Sequence, residues 1–257
     1  MSVLLCFHAH PDDEVFGTGG VMRLAADAGH RVVVVTATDG ALGEVPDGLL
    51  AEGEALAARR RRELEESTTI LGADRLVLLG YADSGMAGSP ENANPHAFAN
   101  ADVEEVARRL ADVLREERAD VVTIYDANGG YGHPDHIQVH RVGVRATEIA
   151  GISHVYESTV NRDHMRAMLS SHPQWSSDEA LSAMDGLGLS DEEITTEVDV
   201  RAVMASKRAA MLAHATQVGD FGPFLQMSEV ELETAFGREW FRRLGGAPGP
   251  KETGLPL

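Results

Sequence analysis

Residues 1–20 read MSVLLCFHAHPDDEVFGTGG. The five residues from Val3 to Phe7 are all apolar. No side chain there suits water on either face, so the run is predicted as a strand covered on both sides, the habit of a parallel sheet. Two histidines, two aspartates and a glutamate follow within positions 8–14, and then Gly17, Gly19 and Gly20. In a doubly wound fold the loop after the first strand is a ligand seat, and a glycine cluster there invites a pyrophosphate. A dinucleotide loop, however, needs G-x-G-x-x-G directly after the strand, with backbone N–H groups facing the anion. Asp12, Asp13 and Glu14 stand in that place. Their charges repel a phosphate and attract a cation. Asp39 has the spacing of a ribose-binding acid, which we read as a coincidence of where the second strand ends.

Working outward, further apolar runs recur at Arg31 to Thr36, Arg75 to Leu79, Asp120 to Tyr125 and Ser153 to Tyr156. Stretches with helical spacing lie between them: Gly19 to Ala28, Glu52 to Leu71, Asp102 to Arg118 and Asp135 to Ala150. Gly29, Gly72 and Gly151 close three of these, where a left-handed C-cap favours glycine. Successive βα units with right-handed crossovers imply an α/β, doubly wound, mostly parallel sheet with helices on both faces. A strand order of 3-2-1-4-5 would make strands one and four neighbours. One domain is expected over 1–245, with a core over 1–157, C-terminal cap elements over 158–245 and a disordered tail over 246–257. Pro173 and Trp175 mark an irregular stretch, followed by a strand in TTEVDV and a helix from Ala202 to Ala215. Two long loops, Asp39 to Leu50 and Tyr81 to Ala101, are expected to line a site. The run Arg59 to Arg62 reads as helix surface beside Glu63, Glu65 and Glu66.

A second segment resembles the first: NGGYGHPDH ends the loop after the fourth strand, with His133 and His136 three apart and Pro134 placed to open a helix. His10 and Asp13 are likewise three apart. If strands one and four are neighbours, HPDD faces HPDH across the switch point. Two imidazoles and a carboxylate with an open position make a catalytic zinc or iron site. Any single histidine among the eleven is more often a satisfied polar group than a ligand; two such segments at strand ends favour the metal. Cys6 is the only cysteine, so no thiolate cluster is available, and its apolar neighbours suggest an inert thiol. With 41 acidic against 22 basic residues the formal charge is −19, which disfavours nucleic-acid and membrane partners. Too few apolar residues precede His8 for a signal peptide, so the expected localisation is cytoplasmic.

AHPDDE at 9–14 together with HPDH at 133–136 resembles the LmbE-like, or PIG-L, superfamily of metal-dependent N-deacetylases, whose fold is Rossmann-like. DSGMAG at 83–88, NGGYGHPDH at 128–136 and AHATQ at 213–217 are similar to its mycothiol branch, which holds deacetylases of N-acetylglucosaminyl-inositol and amidases of mycothiol conjugates. The resemblance implies that His10, Asp13 and His136 hold zinc, with Fe2+ the alternative ion. It makes Asp12 the general base that takes a proton from the water the metal activates. His133 and Tyr131 would lie against the substrate carbonyl oxygen, and Asp135 would orient His133. Arg60, Asp83 and Met86 fall at substrate-binding positions. The implied substrate is a small amino sugar. The segment from Ser158 to Glu197 would cap the pocket.

The residues themselves suit amide hydrolysis. Asp12 adjoins a ligand without being obliged to bind the metal, which leaves a carboxylate for the water. His133 as an imidazolium fixed by Asp135, with the Tyr131 hydroxyl, would stabilise an oxyanion, worth on the order of 3 kcal/mol for one good donor. His8 shares a strand face with His10, and His140 lies one turn after His136; both are placed outside the ligand set. Glu14 is expected to support the ligands or cap a helix, while His214 is a pocket residue or a helix-end cation. Rival readings keep the chemistry and change the substrate, to a thiol-sugar conjugate or a secondary metabolite. A non-haem Fe(II) oxygenase uses the same ligand types but has no role for Asp12. Homo-oligomerisation is left open.

Overall fold

The computed structural model describes residues 1–171, 177–217, 227–246 and 249–257, so Pro173 and Trp175 lie outside the described residues. Among the described residues are seven strands: β1 (Val3–His8), β2 (Arg31–Thr38), β3 (Arg75–Tyr81), β4 (Val121–Tyr125), β5 (His154–Thr159), β6 (Thr196–Asp199) and β7 (Arg238–Arg243). They form one sheet in the order β3-β2-β1-β4-β5-β7-β6. The first five are parallel, with β1 and β4 adjacent; β7 runs antiparallel to both β5 and β6. β1 is central, with Leu4 paired to Val32 on one side and Val121 on the other.

Side chains alternate along a strand, so β1 feeds two separate cores. Val3, Leu5 and Phe7 pack with Val106, Leu110 and Leu114 of α4 (Val103–Glu117) and Val139, Val142 and Ala146 of α5 (Pro134–Ala150). Leu4 and Cys6 pack with Val21 and Met22 of α2 (Gly19–Asp27), Met211 of α8 (Met204–Ala213) and Leu232 of α9 (Glu229–Phe236). Each such side chain taken from water contributes about 1.5–3 kcal/mol. Burial also pushes the Cys6 thiol up to about 12, which leaves it protonated. The helices begin and end as local chemistry dictates. Asp102 accepts the Glu105 amide at 2.8 Å to cap α4, and Gly151 closes α5 at φ 76°.

The remaining helices are α1 (Asp13–Gly17), α3 (Leu56–Ile70), α6 (Arg162–Ser171) and α7 (Asp178–Ala183). Helix α3 starts later than predicted, which lengthens the loop before it. β7 and α9 are missing from the sequence-based reading. REWFRR does not look like an inner strand because its charges are matched only in three dimensions: Glu239 by Lys207 and Arg242 by Glu157.

The expected disordered tail is corrected over residues 249–257. Glu252 N donates to Thr195 O at 2.8 Å, its carbonyl accepts from Glu197 N at 2.9 Å, and its carboxylate accepts from the Tyr156 hydroxyl at 2.9 Å. Leu255 and Leu257 lean on the second core. The edge of β6 offers backbone groups that this segment pairs, a partner that composition cannot reveal. No helix among the described residues is long and apolar enough to cross a membrane.

Candidate metal centre

β1 ends at His8 and β4 at Tyr125, side by side at the carboxyl edge of the sheet. Beyond β1 the chain turns through Pro11 and Asp12 into α1; the loop after β4 returns to His133, the N-cap of α5. HPDD and HPDH therefore face one another. His10 Nδ1 lies 3.2 Å from His136 Nε2, His136 Nε2 lies 3.3 Å from Asp13 Oδ1, and His10 Nδ1 lies 3.4 Å from Asp13 Oδ2. A tetrahedral ion with bonds of about 2.0–2.1 Å needs ligand atoms about 3.3–3.4 Å apart. The three donors fit such an ion.

The other nitrogen of each ring is held, which fixes the one that faces the site. His10 Nε2 meets Asp135 Oδ2 at 3.2 Å with Asp83 Oδ1 at 3.6 Å, and His136 Nδ1 meets the Gly129 carbonyl at 3.1 Å. Gly129 sits at φ 64°, and a Cβ there would strike His136, so the loop carrying that carbonyl needs glycine. Donor atoms of Asp83, His133 and Asp135 also gather within 4.8 Å around His10. His133 also groups with His10 and His136 through its other ring nitrogen, whereas the carboxylates are engaged by backbone amides. Asp135 accepts from Ser84 N at 2.9 Å and Ala99 N at 2.8 Å, Asp83 accepts from Gly85 N at 2.8 Å, and His133 Nδ1 accepts from Asp135 N at 3.2 Å.

This corrects one expectation: the Asp135 carboxylate is on His10 and two backbone amides, and only its amide touches His133. With Nδ1 accepting, the His133 proton sits on Nε2. Burial, with His10 and His136 nearby, lowers the His133 pKa to about 4, which works against the expected imidazolium. His10 is shifted the other way: burial opposes its charge, but Asp13, Asp135 and Asp83 outweigh it and raise the pKa well above the ordinary value. Asp13 is held well below the usual carboxylate range by His136 and His10, against burial. Burial raises Asp12 to about 7; Arg60 opposes the shift and Asp13 adds to it.

The site opens into a cavity of about 260 Å³ on one side and one of about 320 Å³ on the other. The larger is polar and gathers His10, Asp12, Asp13, His133 and Tyr131 with Arg60, Asp83 and Met86. Leu42 and Glu44 from the first long loop, and Asp83, Gly85 and Met86 from the second, line it as expected of those loops. Met86 is 55% exposed and Tyr131 50%, the Tyr131 hydroxyl lying 3.4 Å from His136 Nε2. Arg60 departs from the helix-surface reading of its run: it is 3% exposed, and its guanidinium donates to Gly40 O at 2.7 Å, Pro11 O at 2.5 Å and Asp12 Oδ2 at 2.9 Å. The smaller cavity is apolar, with Phe16, Met165, Leu187 and Trp240 beside Asp13, Tyr131 and His136. Part of the segment expected to cap the pocket lies there.

His8 bonds the Tyr125 hydroxyl at 2.9 Å and Thr18 Oγ1 at 3.1 Å, and burial lowers its pKa. His140 Nδ1 bonds Tyr125 O at 3.1 Å and lies 3.2 Å from Glu157 Oε1. Both therefore stay outside the donor set. His214 reaches Glu14 at 2.6 Å and stops short of the metal donors. Two features were missed. Gln217, at the end of AHATQ, lines the polar cavity; the motif was the available signal. At the start of α2, Gly20 N and Val21 N donate to Glu239 at 2.7 and 2.8 Å, and Lys207 Nζ meets the same carboxylate at 2.6 Å. The anion seat suggested by the glycines exists, and the protein's own carboxylate fills it.

Fold and site together define a doubly wound α/β protein with a His–Asp cation site at the switch point of its sheet. The chain belongs to the PIG-L family: the family described as GlcNAc-PI de-N-acetylase matches residues 5–147. It is 40% identical over 286 residues to a 1D-myo-inositol 2-acetamido-2-deoxy-alpha-D-glucopyranoside deacetylase of Thermomonospora curvata, covering 98% of this chain and 95% of that one. A protein of the same name from Acidothermus cellulolyticus is 42% identical over 267 residues, covering 98% and 91%. Among solved structures, the N,N'-diacetylchitobiose deacetylase of Pyrococcus horikoshii aligns with a TM-score of 0.58 at 27% identity, over 94% of this chain and 83% of that one.

Proposed function

We propose that this chain is a zinc-dependent N-deacetylase that hydrolyses the acetamide of N-acetylglucosamine linked to inositol, inside the cytoplasm. The observation that carries the reading is the donor triangle of His10, Asp13 and His136, of which His10 and Asp13 line, with Asp12, a polar cavity of about 320 Å³. The relatives named above support the substrate. A divalent cation held by these donors supplies Lewis acidity and lowers the pKa of water to about 7.

The chain's own residues supply the rest. Arg60 engages Asp12 Oδ2, leaving Oδ1 to accept a proton from the attacking water. A carboxylate raised to about 7 is matched to that task at neutral pH, and once protonated it can return the proton to the departing amine. His133, neutral with its proton on Nε2, donates to the oxygen that gains charge as water adds to the carbonyl, and the Tyr131 hydroxyl adds a second donor. Arg60, Asp83 and Met86 orient the sugar from the walls of the cavity. The C–N bond then breaks, giving acetate and the free amine.

A second substrate reading, an amidase of thiol-sugar conjugates, is favoured by the apolar cavity on the other side of Tyr131, which has room for an acyl group bulkier than acetyl. One assay separates the two. Zinc-loaded protein is offered the inositol-linked N-acetyl sugar and the corresponding cysteinyl amide, and free amine is measured. Faster release from the acetamide, abolished by chelation and restored by zinc, is the expected result; preference for the cysteinyl amide would establish the second reading, and turnover of neither would overturn both.

A further inference from the structure

Glu14 has no part in the steps above, yet it is fully buried next to Asp12 and Asp13. An isolated carboxylate in such a place is costly unless it is paired and hydrogen-bonded. Both of its oxygens are engaged. Oε2 accepts the Asp12 amide at 2.9 Å, while Oε1 accepts from His214 Nε2 at 2.6 Å and Ser67 Oγ at 2.5 Å. His214, at the end of α8, and Ser67, in α3, are fully buried as well.

What Glu14 holds is the most unusual backbone among the described residues. Asp12 sits at φ 111°, and the only other non-glycine residue at positive φ, Arg118, has an ordinary helix-ending value of 55°. Such a conformation persists only where the surroundings impose it. At Asp12 the carboxylate end is fixed by Arg60 and the amide end by Glu14.

We propose that Glu14, backed by His214 and Ser67, is a positioning residue for Asp12: by accepting the Asp12 amide proton it holds the positive-φ turn that aims the Asp12 carboxylate into the polar cavity. The inference rests on the reading of Asp12 as general base. It also gives helix α8 a function in the reaction, through His214 at its end.

The full chain is tested as wild type, Glu14→Ala, Glu14→Gln and the milder Ser67→Ala. Zinc content, kcat and KM are measured on the inositol-linked N-acetyl sugar, and hydrogen exchange of the Asp12 amide is followed by NMR in the metal-free protein. Glu14→Ala is expected to keep one zinc and a KM within about twofold, while kcat falls about 100-fold, the scale of a misplaced catalytic group. Glu14→Gln retains an acceptor and should recover to within about tenfold of wild type. Ser67→Ala, which removes one donor and serves if Glu14→Ala does not fold, should lower kcat about fivefold. The Asp12 amide should exchange at least about tenfold faster in each variant that slows turnover. Normal kcat in Glu14→Ala, loss of zinc in step with activity, or unchanged exchange at Asp12 would overturn the proposal. If the wild type released no amine from this sugar, the substrate reading would fall, and the exchange measurement would still decide the positioning.

Discussion

HPDD and HPDH share a His-Pro-Asp tripeptide, but the structure uses the same three letters in opposite ways. In the first segment the histidine, His10, is the proposed metal donor, and the aspartate, Asp12, is held at φ 111° with its carboxylate at the cavity. In the second, His133 is the N-cap of α5 and faces the cavity, while Asp135 turns inward onto His10 and two backbone amides. The proposed metal donor comes one residue later, at His136. The difference lies in what each segment leads into. The first meets Glu14 and Arg60, which hold a strained turn; the second enters a 17-residue helix whose first turn dictates where each side chain points. A motif therefore states which chemistry is present, and its surroundings assign the roles.

The comparison can be broken at several points. His136→Ala removes one of the three proposed donors, so stoichiometric zinc and all measurable turnover should be lost. Metal analysis after dialysis checks this, and full zinc retention would remove His136 from the set. Asp12→Asn should keep the metal but lower kcat by about 10²–10⁴-fold, the range for a general base; a near-normal rate would reassign the base. Asp135→Asn distinguishes the two segments directly. Since the carboxylate supports His10, the variant should weaken zinc binding about 10–100-fold, as measured by competition with a chelator. If Asp135 instead served His133, zinc affinity would hold and only kcat would fall.

The smallest effect belongs to His140, one turn beyond His136 on the same helix. Its hydrogen bond to Glu157 raises its pKa, with burial working against the shift. A histidine whose folded pKa is raised contributes stability that is complete below its unfolded value of about 6.5 and is lost as pH rises through the folded value. The melting temperature of wild type should therefore exceed that of His140→Gln most at about pH 6, with the gap closing toward alkaline pH. A gap independent of pH would mean that packing, rather than charge, holds His140 in place.

Much of this was legible beforehand because it depends on short-range pattern. The apolar runs specify buried strands, Pro134 and Gly151 mark the ends of α5, and acids in place of phosphate-binding amides exclude a dinucleotide. The meeting of His10, Asp13 and His136 was readable too, since the strand order brings their two segments to one edge. Other features depend on partners far along the chain. Glu239 in the anion seat of α2, with Lys207 beneath it, could not be foreseen from FGTGG, because the carboxylate comes from a strand more than two hundred residues away. Nor could the exchange of Asp135 from His133 to His10, which is decided by angles and distances of a few ångströms.

The sequence by itself determined a parallel α/β sheet and the facing His-Pro-Asp segments at its edge, because period-two burial and side-chain chemistry are properties of neighbouring residues. Only the tertiary structure decided how Asp12 is strained and aimed, which ring each carboxylate steadies, and that a tail poor in apolar residues is nonetheless packed. Those outcomes depend on which distant groups meet in a dry interior, where an unpaired charge or amide costs several kcal/mol and so must find its partner.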